Sequence, residues 1–289
     1  MVDCVWDLRA PLGEGPVWVE RDQALWFVDI KGRRLHRYDP ASGDRRSVPT
    51  PGQCGFVLPA ADGTFIAGLQ GGLHRFTPAT GRFTLLAPVE ADRPGNRLND
   101  GVVDPSGHLW FGSMDDSERD VTGTFYRLDD DGQVRPRAFA CAITNGPAFS
   151  PDGRVGYFVD TLAGAVWAYD VGADGQLSRR RLFTDMGGRG GFPDGPTVDA
   201  DGHVWVGIYG GWCARRYAPD GTLVETVDFP VANVTKVAFG GADRRTLFAT
   251  TAAQKLDAST LARQPLAGGL FAGDTSTRGL AGIEIRHGI

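Results

Sequence analysis

Asn145-Gly146-Pro147-Ala148-Phe149-Ser150-Pro151-Asp152-Gly153-Arg154-Val155-Gly156-Tyr157-Phe158 reads as an apolar strand, a tight turn on Asp-Gly and a second apolar strand. The unit recurs in both directions from this stretch. Upstream, Gly15-Pro16-Val17-Trp18 leads to Ala24-Leu25-Trp26-Phe27-Val28, Gly55-Phe56-Val57-Leu58 to Thr64-Phe65-Ile66-Ala67-Gly68, and Gly101-Val102-Val103-Asp104 to Leu109-Trp110-Phe111-Gly112. Downstream, Gly195-Pro196-Thr197-Val198 leads to Val204-Trp205-Val206-Gly207, and Lys236-Val237-Ala238-Phe239 to Thr246-Leu247-Phe248-Ala249. Second strands begin at Leu25, Phe65, Leu109, Val155, Val204 and Leu247, a period of about 45 residues. Most copies run on into a third strand, as in Leu35-His36-Arg37-Tyr38 and Leu73-His74-Arg75-Phe76.

Units this small cannot bury their own faces and must stack on one another. The pattern predicts an all-β, six-bladed β-propeller, with residues 1–289 forming one domain. A ring needs closure, because an unpaired edge strand invites aggregation. Cys4-Val5-Trp6-Asp7-Leu8 has no blade of its own and is expected to pair with Ala281-Gly282-Ile283-Glu284-Ile285 as an outer strand of the last blade.

Composition agrees: 41 glycines and 18 prolines in 289 residues favour many short strands and turns. The formal net charge is −5, and no basic stripe suggests nucleic acid. Arg179-Arg180-Arg181 reads as a solvated edge. Asp3, Asp7 and Arg9 break the opening residues, and no apolar run reaches the length of a membrane span. A cytoplasmic monomer without membrane contact is expected. Cys4, Cys54, Cys141 and Cys213 lie far apart without a CxxC pair, so they are expected to be reduced thiols, mostly buried.

The repeat also points to a site. Aligning the glycines places Glu14, Cys54, Asp100, Asn145 and Asp194 at one equivalent position, with Thr235 in the last copy. Related positions in radially arranged blades face one axis. Three carboxylates and an amide meeting there repel unless a cation joins them, and oxygen ligands suit a hard or borderline divalent ion. The competing explanation is that Asn-Gly and Asp-Gly are ordinary turn pairs. Glu14-Gly15-Pro16 is not one, and these pairs open strands.

Other motifs are weaker. His108 and His203 follow the turn glycine and are expected on the surface, away from the axis. His36 and His74 occupy matching third-strand positions and read as packing or edge residues. No GxSxG elbow is present. Gly187-Gly188-Arg189-Gly190-Gly191 lacks the Lys-Ser/Thr of a phosphate loop. Asp129-Asp130-Asp131-Gly132 lacks the alternating ligands of a calcium loop and reads as a turn.

Four motifs in order resemble the regucalcin (senescence marker protein)/gluconolactonase family over nearly the whole chain. They are Leu12-Gly13-Glu14-Gly15-Pro16-Val17-Trp18; Asn96-Arg97-Leu98-Asn99-Asp100-Gly101 with Gly112-Ser113-Met114; Thr144-Asn145-Gly146 with Ser150-Pro151-Asp152-Gly153; and Phe192-Pro193-Asp194-Gly195 with Asp199-Ala200-Asp201-Gly202-His203-Val204-Trp205-Val206. The resemblance implies one divalent ion at the channel mouth, held by Glu14, Asn145 and Asp194, with Arg97 and Asn99 lining the substrate pocket. It makes Asp100 a structural residue at a strand start. Asp116 and Glu118 fall on the loop after Met114 that covers the pocket in relatives, with no role assigned. Within the family the chain is similar to bacterial sugar-acid lactonases, including those acting on pentonolactones such as D-xylonolactone. Iron(II) is the favoured ion, with Ca²⁺, Zn²⁺, Mn²⁺ and Mg²⁺ as alternatives.

The expected chemistry is hydrolysis of a sugar lactone, with the cation polarising the carbonyl and Asp194 the candidate base. Rival readings are a phosphotriester hydrolase and a non-catalytic metal-binding propeller, because fold alone does not fix function.

Overall fold

The computed structural model describes residues 2–186 and 190–288; part of the glycine-rich run, residues 187–189, lies outside them. Among the described residues the regular structure is nearly all strand, with one short α-helix, Ala258–Arg263, and one 3-10 turn, Glu20–Asp22. Four separate four-stranded antiparallel sheets have as first strands Gly13–Val19, Cys54–Pro59, Asn96–Val103 and Thr144–Phe149. The remaining eight strands form one sheet. It divides into two antiparallel quartets, starting at Phe192–Val198 and Val234–Gly240, joined by a single parallel bridge, Gly195 to Lys236. Multiple quartets of this kind are the sheets of a β-propeller-like fold.

The first strand of each quartet packs against the first strand of the next, and Gly13–Val19 packs in turn against Val234–Gly240. Large aromatic side chains fill the spaces between sheets. Trp110 and Trp205 are fully buried. Each donates its indole N–H to an aspartate six residues earlier, Asp104 at 2.8 Å and Asp199 at 3.0 Å. The other oxygen of each aspartate accepts backbone N–H groups of the turn between, including those of His108 and His203. One carboxylate thus shapes the turn and orients the ring packed above it.

All six first strands carry an irregularity at the same level. Between Glu14 and Val17, Cys54 and Phe56, Leu98 and Gly101, Asn145 and Ala148, Pro193 and Pro196, and Val234 and Lys236, the register shifts. In each case the first strand holds one residue more than its partner. A bulge of this kind re-aims side chains locally. Glycine permits the close approach that follows. A Cβ on Gly55 would lie 2.2 Å from the Asn99 carbonyl oxygen, and one on Gly146, at φ +82, 2.7 Å from Pro196 Cγ.

The N-terminal strand Asp3–Trp6 completes the last quartet, but its partner is Leu270–Asp274, with Asp3 opposite Ala272 and Trp6 opposite Leu270. The expected partner, Ala281-Gly282-Ile283-Glu284-Ile285, has another place. After Gly279 bridges Asp199, the C-terminal tail crosses to Ala60, where Ile285 forms a parallel bridge. Residues Leu280 to Ile283 line an apolar space with Val17, Val103 and Val198, at the far ends of the first strands. The tail is a strap beneath the channel, with Ile285 buried, Leu280 and Ile283 half-buried, and Ala281 and Gly282 exposed.

His108 also departs from expectation. It is 7% exposed, covered by the tail, with its ring stacked on His287 at 4.2 Å. His203 is half-buried against Arg216. His36 packs between Trp6 and Phe27, as a core residue should. The four cysteines are free thiols, Cys4 partly exposed and the others buried. No described helix is long and apolar enough to cross a membrane.

Gly55→Ala should destabilise the protein by about 1–3 kcal/mol through overpacking against the neighbouring strand. Gly52→Ala, where a Cβ meets nothing within 4 Å, is the control, and urea denaturation reads both.

Candidate functional site

The bulges bring the aligned residues to one end of the channel. A cavity of about 160 Å³ opens there, lined by Glu14, Asn145 and Asp194 together with Arg97, Asn99 and Tyr209. All five residues named for ligation or substrate contact therefore share one space. They come from the first strands of four different quartets.

Hydrogen bonds fix several of them. Asn145 Nδ2 donates to Thr161 Oγ1 at 2.9 Å, and Asn99 Nδ2 donates to Asn145 Oδ1 at 3.1 Å and to the Thr144 carbonyl at 2.6 Å. The Asn145 side-chain oxygen is thereby oriented by its own amide. Arg97 Nη1 donates to Asn99 Oδ1 at 2.6 Å, and its Nε donates to Asp116 Oδ1 at 2.8 Å. Asp116 also accepts from Lys31 Nζ at 2.6 Å and Gln53 Nε2 at 2.9 Å. Burial opposes the Asp116 charge, but these donors outweigh it and hold the carboxyl below its usual range. Asp116 is the anchor of the buried Arg97, and through it of Asn99. Glu118 lines the cavity and pairs with Lys255 from the last quartet's loop.

The carboxylates are under strain of another kind. Glu14 is 5% exposed, Asp100 2% and Asp194 6%. Glu14 Oε2 accepts the Gly15 N–H at 2.9 Å. Its carboxyl also lies within hydrogen-bonding reach of Asp194. Burial, then the charge of Asp100, pushes Glu14 up to about 7. Burial, then Glu14 and Asp100, raises Asp194 well above the carboxylate range. Asp100 differs from both. Its oxygens accept Lys236 Nζ at 2.6 and 2.8 Å, the Gly101 N–H at 2.8 Å and the Gly146 N–H at 2.8 Å. Those four bonds occupy it structurally, below the cavity.

Lys236 stands in the glycine's place in the last copy, directly after Thr235, and the repeat alignment by itself assigns it no role. Thr235 itself donates to the Gly13 carbonyl at 2.7 Å and knits the last quartet to the first. Cys54 is buried, and burial pushes its thiol up to about 12, so it offers the site no thiolate.

Two carboxyl groups in contact, with an oriented amide oxygen lining the same cavity, form a donor set of hard oxygens. Lys236 is already taken by Asp100. The donor set fits a divalent cation, which would relieve the repulsion that now raises Glu14 and Asp194.

Comparison with known proteins identifies the family. Residues 12–253 match the family described as SMP-30/Gluconolactonase/LRE-like region. The chain is 34% identical over 279 residues to 6-deoxy-6-sulfogluconolactonase of Pseudomonas putida, covering 96% of each chain. It is 36% identical over 279 residues to L-arabinolactonase of Azospirillum brasilense, covering 95% of this chain and 92% of that one. A crystal structure of a calcium-binding protein, regucalcin, from Agrobacterium tumefaciens superposes with a TM-score of 0.94 at 32% identity, over 98% of this chain and 96% of that one. The chain belongs to the SMP-30/gluconolactonase/LRE-like family.

Proposed function

We propose that this protein is a cation-dependent sugar lactonase that opens an aldonolactone to the aldonic acid, with a pentonolactone such as D-xylonolactone as its substrate. The observation that carries this reading is the meeting of Glu14, Asn145 and Asp194 beside Arg97 and Asn99 in one small cavity. The lactonase relatives support the reaction class. Six strand quartets and the cycle of contacts among their first strands support a six-bladed propeller, closed by Asp3–Trp6 and forming one domain.

Glu14, Asn145 and Asp194 would hold the ion, with iron(II) the favoured occupant and Ca²⁺, Zn²⁺, Mn²⁺ or Mg²⁺ able to replace it. Bound there, a dication supplies Lewis-acid polarisation of the lactone carbonyl and stabilises the oxyanion. Asp194 takes the proton of the attacking water as general base and returns it to the ring oxygen as the C–O bond breaks. Arg97 and Asn99 bind sugar hydroxyls and set the ring's approach. Asp116 keeps Arg97 in position. The protein acts as a soluble monomer in the cytoplasm.

Chelator-stripped protein should lose turnover of pentono- and hexonolactones in a pH-stat assay and regain it with added divalent ion. Undiminished turnover after complete stripping would reject the ion's role. Asp194→Ala should lower kcat/KM by about 10²-fold or more; near-normal kinetics would remove it from the chemistry.

The raised acidities give a pH signature with a defined sign. A carboxyl raised in the folded state binds more protons folded than unfolded between its ordinary value and the raised one. The ion-free protein should therefore lose stability as pH rises from the ordinary carboxylate range through about 7, the value of Glu14. Ion binding needs both carboxylates deprotonated, so the rise in Tm on adding ion should be larger at pH 8 than at pH 5.5. Thermal denaturation with and without ion at both values checks this. Lys236→Met, which leaves Asp100 buried without its cation, should cost about 3–5 kcal/mol in the ion-free protein by urea denaturation.

A further inference from the structure

We propose that His108, Asp130 and His287 form a second cation site, for a borderline transition metal such as Zn²⁺ or Cu²⁺, which clasps the C-terminal tail to the third quartet. The site lies at the opposite end of strand Asn96–Val103 from the cavity, and its ligands share nothing with Glu14, Asn145 and Asp194. His108 follows the turn after that strand, Asp130 the turn before the quartet's last strand, and His287 sits on the tail.

Two imidazole nitrogens face one carboxylate oxygen. His108 Nε2 lies 3.0 Å from Asp130 Oδ1, and His287 Nδ1 lies 2.8 Å from the same atom. All three donor atoms fall within 4.8 Å of one another. The other nitrogen of His287, Nε2, lies 3.1 Å from the Ser106 carbonyl. A carbonyl only accepts, so Nε2 carries the proton. A neutral His287 then presents a bare lone pair from Nδ1 to the carboxylate, which repels unless a cation stands between them. Orientation by a backbone carbonyl on the outer nitrogen is also the usual arrangement of a metal-ligating histidine.

Protonating the rings instead is a poorer answer. Two charged rings would then lie stacked 4.2 Å apart and 14° from parallel, where like charges repel. A single dication answers all three facing atoms, with Asp104 Oδ1 lying 3.7 Å from the other nitrogen of His108. Tetrahedral ligation at about 2.0–2.1 Å places donors roughly 3.3 Å apart, so the two nitrogen–oxygen separations need open by only a few tenths of an ångström. Two nitrogens and one oxygen select Zn²⁺, Cu²⁺ or Ni²⁺ over Ca²⁺ and Mg²⁺. Asp130, with a side chain 70% exposed, leaves the fourth position to water.

The second group of possible ligands, Asp199, Asp201 and His203, does not compare. Both Asp199 oxygens are committed, to the turn N–H groups on one side and to Trp205 and Arg216 on the other. The tail, by contrast, meets the third quartet through only a few further bonds, among them Arg286 N–H to the Gly107 carbonyl at 3.0 Å. A metal there would fasten the end of the strap that crosses beneath the channel.

Untagged, chelator-stripped protein titrated with Cu²⁺ and followed by electron paramagnetic resonance tests this. No described histidine lines the cavity, so nitrogen hyperfine structure from two imidazoles distinguishes the second site from it. Wild type should show it, and His287→Ala and Asp130→Asn, both on the surface, should lose or simplify it. Zn²⁺ titration by calorimetry should fall by one equivalent per chain in His287→Ala, with circular dichroism unchanged. Carboxypeptidase should trim the tail more slowly when Zn²⁺ is present, in wild type only. Absence of nitrogen coupling in wild type, or equal Zn²⁺ stoichiometry in wild type and His287→Ala, would overturn the proposal.

Discussion

Three carboxyl groups are buried in one narrow channel with a single ammonium among them. Glu14, Asp100 and Asp194 are each almost wholly shielded from water, and Lys236 is committed to Asp100 through both its oxygens. Lys236, and for Glu14 also Arg97, favours the charged form of the remaining pair but is outweighed. Burial and mutual repulsion favour its neutral form. Everything around the pair reads as a means of keeping it in place regardless. The bulges aim it, the glycines let the strands close in, and Asp100 with Lys236 bars the channel directly below.

This division of labour separates two acidic residues that look alike in the sequence. Asp100 and Asp194 both precede a glycine at the start of a first strand. Asp100 receives two backbone N–H groups and an ammonium, which fill its acceptor positions and make it structural. Asp194 has Glu14 as its neighbour and gains no comparable donors among the described residues. The resemblance to the family anticipated that distinction, whereas the repeat alone placed both at the axis. Asp116 shows the same logic from outside. Its three cationic or amide donors come from different quartets, so its job is legible only once Lys31, Gln53 and Arg97 are seen to converge.

Much of the fold and site was written in the period of the chain. A unit that recurs every several dozen residues announces stacked quartets, and an aligned position within it announces a convergence point. Glu14, Asn145 and Asp194 were found that way. What escaped the reading was whatever lies outside the repeat. Lys236 replaces the glycine of the last copy, and its pairing with Asp100 across the channel has no signal in the repeat. The tail has strand-like composition, so Ala281 to Ile285 was paired with the N-terminal segment, when its apolar residues serve to cover the underside of the channel. His108 looked like a turn residue on the surface because nothing local reveals that the tail returns to cover it.

The bulge repeated in six strands gives every copy the same kind of socket, filled by Glu, Cys, Asp, Asn, Asp and Thr in turn. Cys54 and Thr235 occupy two such sockets without contributing charge, Thr235 serving as a cross-link between the first and last quartets. Changing one socket alters the chemistry at the centre while the backbone that presents it is maintained by the other repeats. The scaffold thus separates invention from risk: new donors can be tried at the hub by point substitution, with no helix, loop or interface needing to be rebuilt.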